Sequence, residues 1–218
     1  MQSMRRIVNL NNVFININER KTANKKELSL SLNNSISDES LIKKGFFNGD
    51  ILICHDYSLS NNNISMDCGR IKFFDFYRKR LSIKKPSFYA IAVNAIIHLN
   101  NEYIILIKRG EDVYCYQNYW DFPAGLIPFG TGLFERLVDC IFNDTGLEKE
   151  ALSINTQPDF LIQRDEFLLF YYKIQCKLQK EELKSIIRNF DSLLLHKSEI
   201  EKFLSKNKNV YPDFLIEV

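Results

Sequence analysis

Cysteine and histidine are scarce in this sequence, and their spacing excludes several kinds of site. The 218 residues include five cysteines and three histidines, and no two cysteines form a Cys-x-x-Cys pair. An odd number of widely spaced cysteines argues against a disulfide framework and against a structural zinc site. We therefore expect reduced and mostly buried thiols, as in a cytoplasmic protein. The five cysteines are Cys54, Cys68, Cys115, Cys140 and Cys176.

Long apolar runs and a strong excess of one charge are also absent. No stretch approaches the roughly 18 apolar residues of a membrane span, and the N-terminus has no long apolar segment after its basic residues. The formal net charge is +2, so there is no clear nucleic-acid signal and no attraction to an acidic membrane. The densest basic run, residues 78–85, is interpreted as a solvated connector. These absences predict a soluble, intracellular protein.

The first 85 residues predict a small, β-rich N-terminal region. Residues 1–48 are rich in Asn, Ser and Lys, and we expect them to be partly flexible, with a strand and a short helix. Residues 50–59 and 64–77 each have the composition of a strand. The basic run and Pro86 then mark the boundary that we predict between region 1–85 and a second domain, 86–218.

The second domain has the pattern of an α/β fold. Two apolar runs, at 87–99 and 102–109, predict a buried hairpin with its turn at Asn100-Asn101. The fold class predicted for the chain is α/β, a mixed β-sheet flanked by helices, with a β-rich N-terminal extension. The other elements expected are a short strand at 120–122, a helix at 132–144, a strand at 167–178, a helix or long connection at 179–190, a strand at 191–195 and a helix at 198–204.

The helix expected at 132–144 is amphipathic by its pattern, and Gly146 stands where a C-cap glycine belongs. Three polar residues recur four apart, and their simplest role is a solvated face: Glu135, Asp139 and Asn143. The other side carries an apolar stripe that we expect to pack on the core. Its members are Leu133, Phe134, Leu137, Val138, Ile141 and Phe142.

The residues around this helix resemble the signature of the Nudix superfamily. As residue types, that signature is Gly, five residues, Glu, seven residues, Arg-Glu-apolar, any, Glu-Glu, any, Gly, apolar. Anchored on Gly125, the frame fits without a gap and ends on Gly146. Trp120 and Pro123 match residues that commonly precede the signature. The resemblance spans residues 87–218 and implies a Nudix-like fold, in which homodimers are frequent.

The positions of the signature that carry chemistry depart from the family. Thr131 stands at the first glutamate position, Asp139-Cys140 replaces the Arg-Glu pair, and Asn143-Asp144 replaces the Glu-Glu pair. In the family, these glutamates hold Mg²⁺ or Mn²⁺, which bridges the phosphates of a diphosphate substrate. The resemblance therefore implies Mg²⁺ or Mn²⁺ if this chain is active, and otherwise no cofactor. The losses agree with one another, which favours loss of the usual mechanism.

The acids that remain define a candidate catalytic and metal site. Asp144 keeps a charge within the frame, so it is a candidate for both roles; its alternative role is a polar residue at a helix end. Asn143 and Asp139 are the other candidate metal ligands, and their alternative role is the solvated helix face. Glu166 is the second catalytic candidate, because the family often places an acid just before the corresponding strand.

Candidate substrate-binding residues lie before the signature and at its start. Arg109 could bind a phosphate, Trp120 could stack on a base, and Gly125 begins the signature. Each has a structural alternative, respectively a strand-end charge facing solvent, a core aromatic and a glycine needed for backbone geometry. Three tyrosines precede Trp120 and could line a ligand pocket: Tyr114, Tyr116 and Tyr119.

Three functions remain open from the sequence. The first is a Nudix-like protein with an eroded metal site that binds a nucleoside-diphosphate-linked compound with weak or no hydrolysis. The second is a divergent metal-dependent pyrophosphohydrolase that uses Asp144 and Glu166. The third is a non-catalytic protein-interaction module. The missing carboxylates favour the first over the second, and a groove lined by Arg109 and Trp120 would favour either over the third.

Overall fold

The computed structural model of the chain contains two compact units. It describes residues 6–10, 14–19, 37–43, 46, 48–60, 63–82, 88–111, 113 and 116–210. The first unit comprises Met1–Ala92, Leu126–Gly132 and Asp159–Phe170. The second comprises Val93–Gly125, Leu133–Pro158 and Tyr171–Val218. The domain boundary expected between residues 85 and 86 stays a prediction.

The described residues form an α/β fold, as the sequence predicts. The strands are β1 (Arg6–Asn9), β2 (Phe14–Glu19), β3 (Asp50–Ser60), β4 (Asn63–Lys72), β5 (Tyr89–Leu99), β6 (Tyr103–Lys108), β7 (Trp120–Asp121), β8 (Ala124–Leu126), β9 (Leu152–Ser153), β10 (Phe160–Arg164), β11 (Phe167–Cys176) and β12 (Ser192–His196). The α-helices are α1 (Asp38–Lys43), α2 (Phe73–Ser82), α3 (Leu133–Thr145), α4 (Lys180–Ile187) and α5 (Ile200–Lys206). Two short 3-10 helices cover Lys149–Ala151 and Lys197–Glu199.

Strand pairing in the first unit is mixed. β3 and β4 form a long antiparallel hairpin, with a bulge between Cys54 and Asp56. β2 runs parallel to β4, and β1 runs antiparallel to β10. Inward-facing aliphatic side chains alternate along β4, where Ile64 and Met66 are fully buried. The strand and short helix expected before residue 48 are present as β2 and α1.

The strand expected over 64–77 ends earlier than predicted, because the chain enters a helix at Phe73. Two hydrogen bonds from backbone N–H groups fix the start of α2. The N–H of Phe73 donates to the carbonyl of Gly49 at 2.9 Å, and the N–H of Phe74 donates to Oδ1 of Asn48 at 3.0 Å. Such bonds satisfy the unpaired donors of a first helical turn. The aromatic residues suggest a strand by composition, but Phe73 and Phe76 are buried at helical spacing.

The interpretation of residues 78–85 as a solvated connector is wrong for its first part. Arg78 and Lys79 belong to α2, and Lys79 is only 5% exposed. The Nζ atom of Lys79 lies 5.2 Å from the ring centroid of Phe88, and Arg78 pairs with Asp38. Long basic side chains can bury their aliphatic stems in this way. Residues 83–85 lie outside the described residues.

The second unit is built around an antiparallel hairpin. β5 and β6 pair through His98↔Ile104 and Leu99↔Tyr103, and the turn residues Asn100 and Asn101 have φ values of 51° and 57°. Positive φ at both central residues is typical of a tight hairpin turn, so the predicted hairpin is confirmed. β12 and β7 pair with β6, and β9 pairs with β11, all antiparallel.

Helix α3 begins at Leu133 and ends at Thr145, close to the predicted bounds. Gly146 has φ +72° and donates its N–H to the carbonyl of Phe142 at 2.8 Å, which confirms the glycine C-cap. The apolar stripe is wrong at Phe142, which is 52% exposed. Because successive helical residues are about 100° apart, the buried side is centred on Leu137 and Ile141 instead.

Two more sequence-based expectations can be compared with the described residues. Four cysteines are buried thiols outside any disulfide: Cys54, Cys68, Cys140 and Cys176. Burial is as expected for these four, whereas Cys115 lies outside the described residues. No helix in the described ranges is long and apolar enough to cross a membrane.

Candidate functional site

One stripe of helix α3 and the backbone of strand β8 form the candidate site in the second unit. Arg136, Cys140 and Asp144 recur four residues apart, so they lie on the same side of the helix. Asp144 accepts a hydrogen bond from the backbone of Ala124 in β8, and Arg136 and Cys140 lie next to Gly125 of the same strand. We call this arrangement the α3–β8 site. It includes both ends of the sequence frame, because Gly125 opens the signature and Asp144 nearly closes it.

Asp144 is the ionisable centre of the α3–β8 site. Its Oδ2 accepts a hydrogen bond from the backbone N–H of Ala124 at 3.2 Å. Burial raises the pKa of Asp144 from 3.8 to about 6, and the negative charge of Asp121 adds to the rise. The Ala124 N–H and the positive charges of Arg109 and Arg136 lower the pKa of Asp144, but they do not offset burial.

A buried ion pair flanks Asp144. Nη1 of Arg109 lies 2.8 Å from Oδ2 of Asp121, whose side chain is 2% exposed, and Arg109 is 18% exposed. The other oxygen of Asp121 accepts the backbone N–H of Phe122 at 2.8 Å. A charge held in this way keeps a fixed position, since both partners are largely removed from water. Arg109 is therefore directed into the protein. The alternative role considered for it, a strand-end charge that faces solvent, is wrong.

Gly125 lets helix α3 approach strand β8 closely. A Cβ atom at this position would lie 2.5 Å from Sγ of Cys140 and 2.7 Å from Nη2 of Arg136. Both distances are shorter than real Cβ contacts, so only glycine fits without a shift of its neighbours. Gly125 thus serves backbone geometry, as its structural alternative predicts. The same distances place the Arg136 guanidinium and the Cys140 thiol side by side over β8.

The oxygen and sulfur donors present do not fit a cation site of the Nudix type. Mg²⁺ and Mn²⁺ require several oxygen ligands, some of them charged. In the α3–β8 site, Asp144 is the carboxylate of the helix stripe, and burial raises the pKa of the Cys140 thiol to about 12. Asp139 and Asn143 are exposed on the adjacent side of α3. Among the described residues, no group of three or more His, Cys, Asp or Glu side chains could hold a metal ion.

The structure places the second catalytic candidate in the first unit. Glu166 lies in the turn between β10 and β11, where the preceding Asp165 has φ +46°. Its backbone carbonyl accepts the N–H of Ala90 at 2.8 Å, and the residue is 7% exposed. Glu166 is therefore a buried acid beside the start of β5. Its catalytic role stays a prediction.

The aromatic candidates are tied to the chain's own elements. The Trp120 ring packs edge-on against Phe203 of α5, with 5.7 Å between the ring centroids. The backbone N–H of Trp120 donates to the carbonyl of Asn209 at 2.9 Å. These contacts fit the core role that is the alternative for Trp120, and its role in substrate binding stays a prediction. Tyr116 and Tyr119 contact each other edge-on at 5.5 Å. Tyr114, the third tyrosine of the expected pocket wall, lies outside the described residues.

Two charged residues in or beside the α3–β8 site have positions that the sequence does not predict. Arg136 lies one helical turn before Cys140, and Asp121 follows Trp120 in β7. A signal for Arg136 exists, because it shares the four-residue spacing with Cys140 and Asp144. Asp121 carries no comparable signal, since its ion pair with Arg109 depends on the pairing of β6 with β7.

Comparisons with known proteins give similarities to solved structures. No protein-family model matches the chain, and no curated protein matches its sequence. The MutT protein from Methanosarcina mazei is 19% identical, with 62% of this chain and 92% of that chain covered and a TM-score of 0.41. The C. elegans Ap4A hydrolase is 11% identical, with 54% and 85% covered and a TM-score of 0.35. The NUDIX domain of Shewanella oneidensis NrtR, complexed with ADP ribose, is 11% identical, with 52% and 77% covered and a TM-score of 0.35.

The last of these three is a NUDIX domain. All three similarities are of fold at low sequence identity.

Proposed function

We propose that this chain binds a nucleoside-diphosphate-linked compound at the α3–β8 site and hydrolyses it weakly or not at all. The observation that supports this proposal is the side-chain stripe of Arg136, Cys140 and Asp144 over the backbone of Gly125. A Nudix-like frame is kept there, while the carboxylates that would hold a catalytic cation are replaced. The site retains cationic groups suited to phosphate, and it lacks the oxygen ligands suited to Mg²⁺.

Charge supports binding of an anion at this place. The guanidinium groups of Arg109 and Arg136 both act electrostatically on Asp144, so both positive charges reach the same part of the site. Guanidinium groups bind phosphate oxygens through paired, directional hydrogen bonds. Asp121 holds the Arg109 guanidinium in place, so this positive charge keeps a fixed position in the site.

The proposal is tested by isothermal titration calorimetry of the full chain against a panel of compounds. The panel is ADP-ribose, a UDP-sugar, a dinucleoside polyphosphate, NADH and a nucleoside triphosphate, each in the presence of Mg²⁺. At least one diphosphate-linked compound should bind with a dissociation constant in the micromolar range. Absence of binding across the panel would contradict the proposal and would favour the protein-interaction module.

A divergent pyrophosphohydrolase is the second candidate, and one observation favours it. Burial raises the pKa of Asp144 to about 6, and a general base works best when its pKa lies near the working pH. Asp144 would accept a proton from the attacking water, and Glu166 stays the other catalytic candidate that the sequence predicts. Mass spectrometry of the same panel tests this candidate. Metal-dependent release of a nucleoside monophosphate that Asp144→Ala abolishes would support it over the first.

We also propose a cellular location, a domain division and an oligomeric state for this protein. We propose a cytoplasmic location, which the four buried, reduced thiols support. Region 1–85 is proposed to be a β-rich extension of a Nudix-like domain at 86–218. A homodimer, frequent among proteins that the frame resembles, is tested by sedimentation of the full chain.

A further inference from the structure

The positive charge at the centre of the α3–β8 site belongs to the protein itself. Nη2 and Nε of Arg136 would lie 2.7 Å and 3.1 Å from a Cβ atom at Gly125, so the guanidinium lies directly over β8. Arg136 also lowers the pKa of the neighbouring Cys140 and Asp144 electrostatically. In the Nudix signature, positions 140 and 144 are glutamates that bind the metal. The Arg136 guanidinium therefore lies on the same side of α3 as these two positions.

The balance of charges differs from that of a cation site. Two guanidinium groups, Arg109 and Arg136, face two carboxyl groups, Asp121 and Asp144. A site built for a divalent cation has an excess of carboxylates, which would repel a phosphate until the cation is bound. Here the carboxyl groups are matched by fixed cations, so a phosphate can approach without added positive charge.

We propose that the α3–β8 site binds the diphosphate of its ligand without a divalent cation, through the guanidinium groups of Arg136 and Arg109. This inference rests on the proposed function and names its mode of recognition. Arg136 supplies the charge next to Gly125, where the absence of a side chain lets its guanidinium pack directly against the β8 backbone. Arg109, which directly follows β6 and is held by Asp121, supplies the second charge.

The test is calorimetry of the full chain with ADP-ribose, in 5 mM Mg²⁺ and, separately, in EDTA at the same ionic strength. If ADP-ribose is not the panel member that binds, the compound that does bind is used. The expected result is the same affinity in both buffers, within about twofold. Arg136→Met should weaken binding about 10- to 100-fold in both, because a charged hydrogen bond to phosphate is lost. Arg188→Met, which removes an exposed arginine from the end of α4, is the matched control and should bind as the wild type does.

Each other result has a separate meaning. Binding that appears in Mg²⁺ and disappears in EDTA would overturn the cation-independent mode while leaving the proposed function in place. Binding in EDTA that Arg136→Met leaves unchanged would also overturn it, since the phosphate would then be held elsewhere. Failure of every panel compound to bind in both buffers would overturn the proposed function as well.

A second variant keeps the inference testable if Arg136→Met does not fold, which circular dichroism shows. Arg136→Lys keeps the positive charge but loses the planar pair of donors. It should weaken binding in EDTA about threefold to tenfold, and Mg²⁺ should not restore it. Wild-type affinity of Arg136→Lys in EDTA, or recovery of its affinity by Mg²⁺, would overturn the role given to Arg136.

Discussion

Replacement of Asp144 by Asn should stabilise the fold at neutral pH and not at acidic pH. In the folded chain, burial raises the pKa of Asp144 to about 6, whereas the reference value is 3.8. Between these values, the folded chain binds more protons than the unfolded chain, so its stability falls as the pH rises. This contribution is fully present below pH 3.8 and is lost as the pH rises through 6. Asparagine is neutral at every pH and can still accept the Ala124 N–H.

The size of the effect follows from the two pKa values. A difference between 3.8 and about 6 corresponds to about 3 kcal/mol of free energy of unfolding. Of this, about 2 kcal/mol falls between pH 4.5 and pH 8. The stability of Asp144→Asn relative to the wild type should therefore rise by about that amount over this range.

Urea unfolding of both chains, followed by circular dichroism at half-unit pH steps, measures this difference directly. The change in the difference with pH is the quantity of interest, since titrations elsewhere are common to both chains. Asp139→Asn makes the same chemical change at an exposed position of the same helix and is the matched control. A flat difference for Asp144→Asn, or one that falls as the pH rises, would refute the assignment of a buried carboxyl group with a raised pKa.

Three further predictions concern the second unit. Burial and the charges of two lysines lower the pKa of His98 to about 4. The free energy of unfolding should therefore fall as the pH drops from 6.5 towards 4. Because His98 is partly exposed, His98→Asn should reduce that fall by on the order of 1 kcal/mol in urea unfolding. Gly125→Ala should lower the free energy of unfolding by about 1–3 kcal/mol through overpacking. Adding Cys140→Ala to the same chain should recover part of that loss. If Gly125→Ala costs the same with and without Cys140, the close approach of the Cys140 thiol to Gly125 is contradicted. Asp121→Asn should cost about 3–5 kcal/mol, because it leaves the Arg109 charge in a buried place without its carboxylate; a loss under 1 kcal/mol by thermal unfolding would contradict a buried pair.

The central elements of the second unit could be predicted because their signals are local. The β5–β6 hairpin has apolar strands around Asn100-Asn101, and α3 has helical spacing up to a glycine cap at Gly146. Such signals depend on residues a few positions apart. By contrast, α2 was mistaken for a strand because its aromatic residues fit either element, and the bond from the Phe74 N–H to Asn48 joins positions 26 residues apart.

The candidate site was predictable only in part, for the same physical reason. Asp144 and Gly125 follow from the spacing of the Nudix-like frame. The Arg109–Asp121 pair requires the register of β6 against β7, and the position of Arg136 over Gly125 requires the distance between α3 and β8. Neither quantity is encoded in local spacing. Sequence reasoning therefore identified which carboxylates are missing, but not that an arginine occupies their stripe.

The measurement that tests the account most directly is equilibrium dialysis of the full chain against ADP-ribose with Mg²⁺, with both chambers analysed by mass spectrometry. It reports binding and cleavage in one sample. If another compound of the panel binds in place of ADP-ribose, that compound is used. The proposed function predicts an excess of the intact compound in the chamber with protein, and little or no nucleoside monophosphate in either chamber. Rapid formation of AMP that depends on Mg²⁺ and is abolished by Asp144→Ala would contradict it, because the site would then hold a working metal-dependent centre.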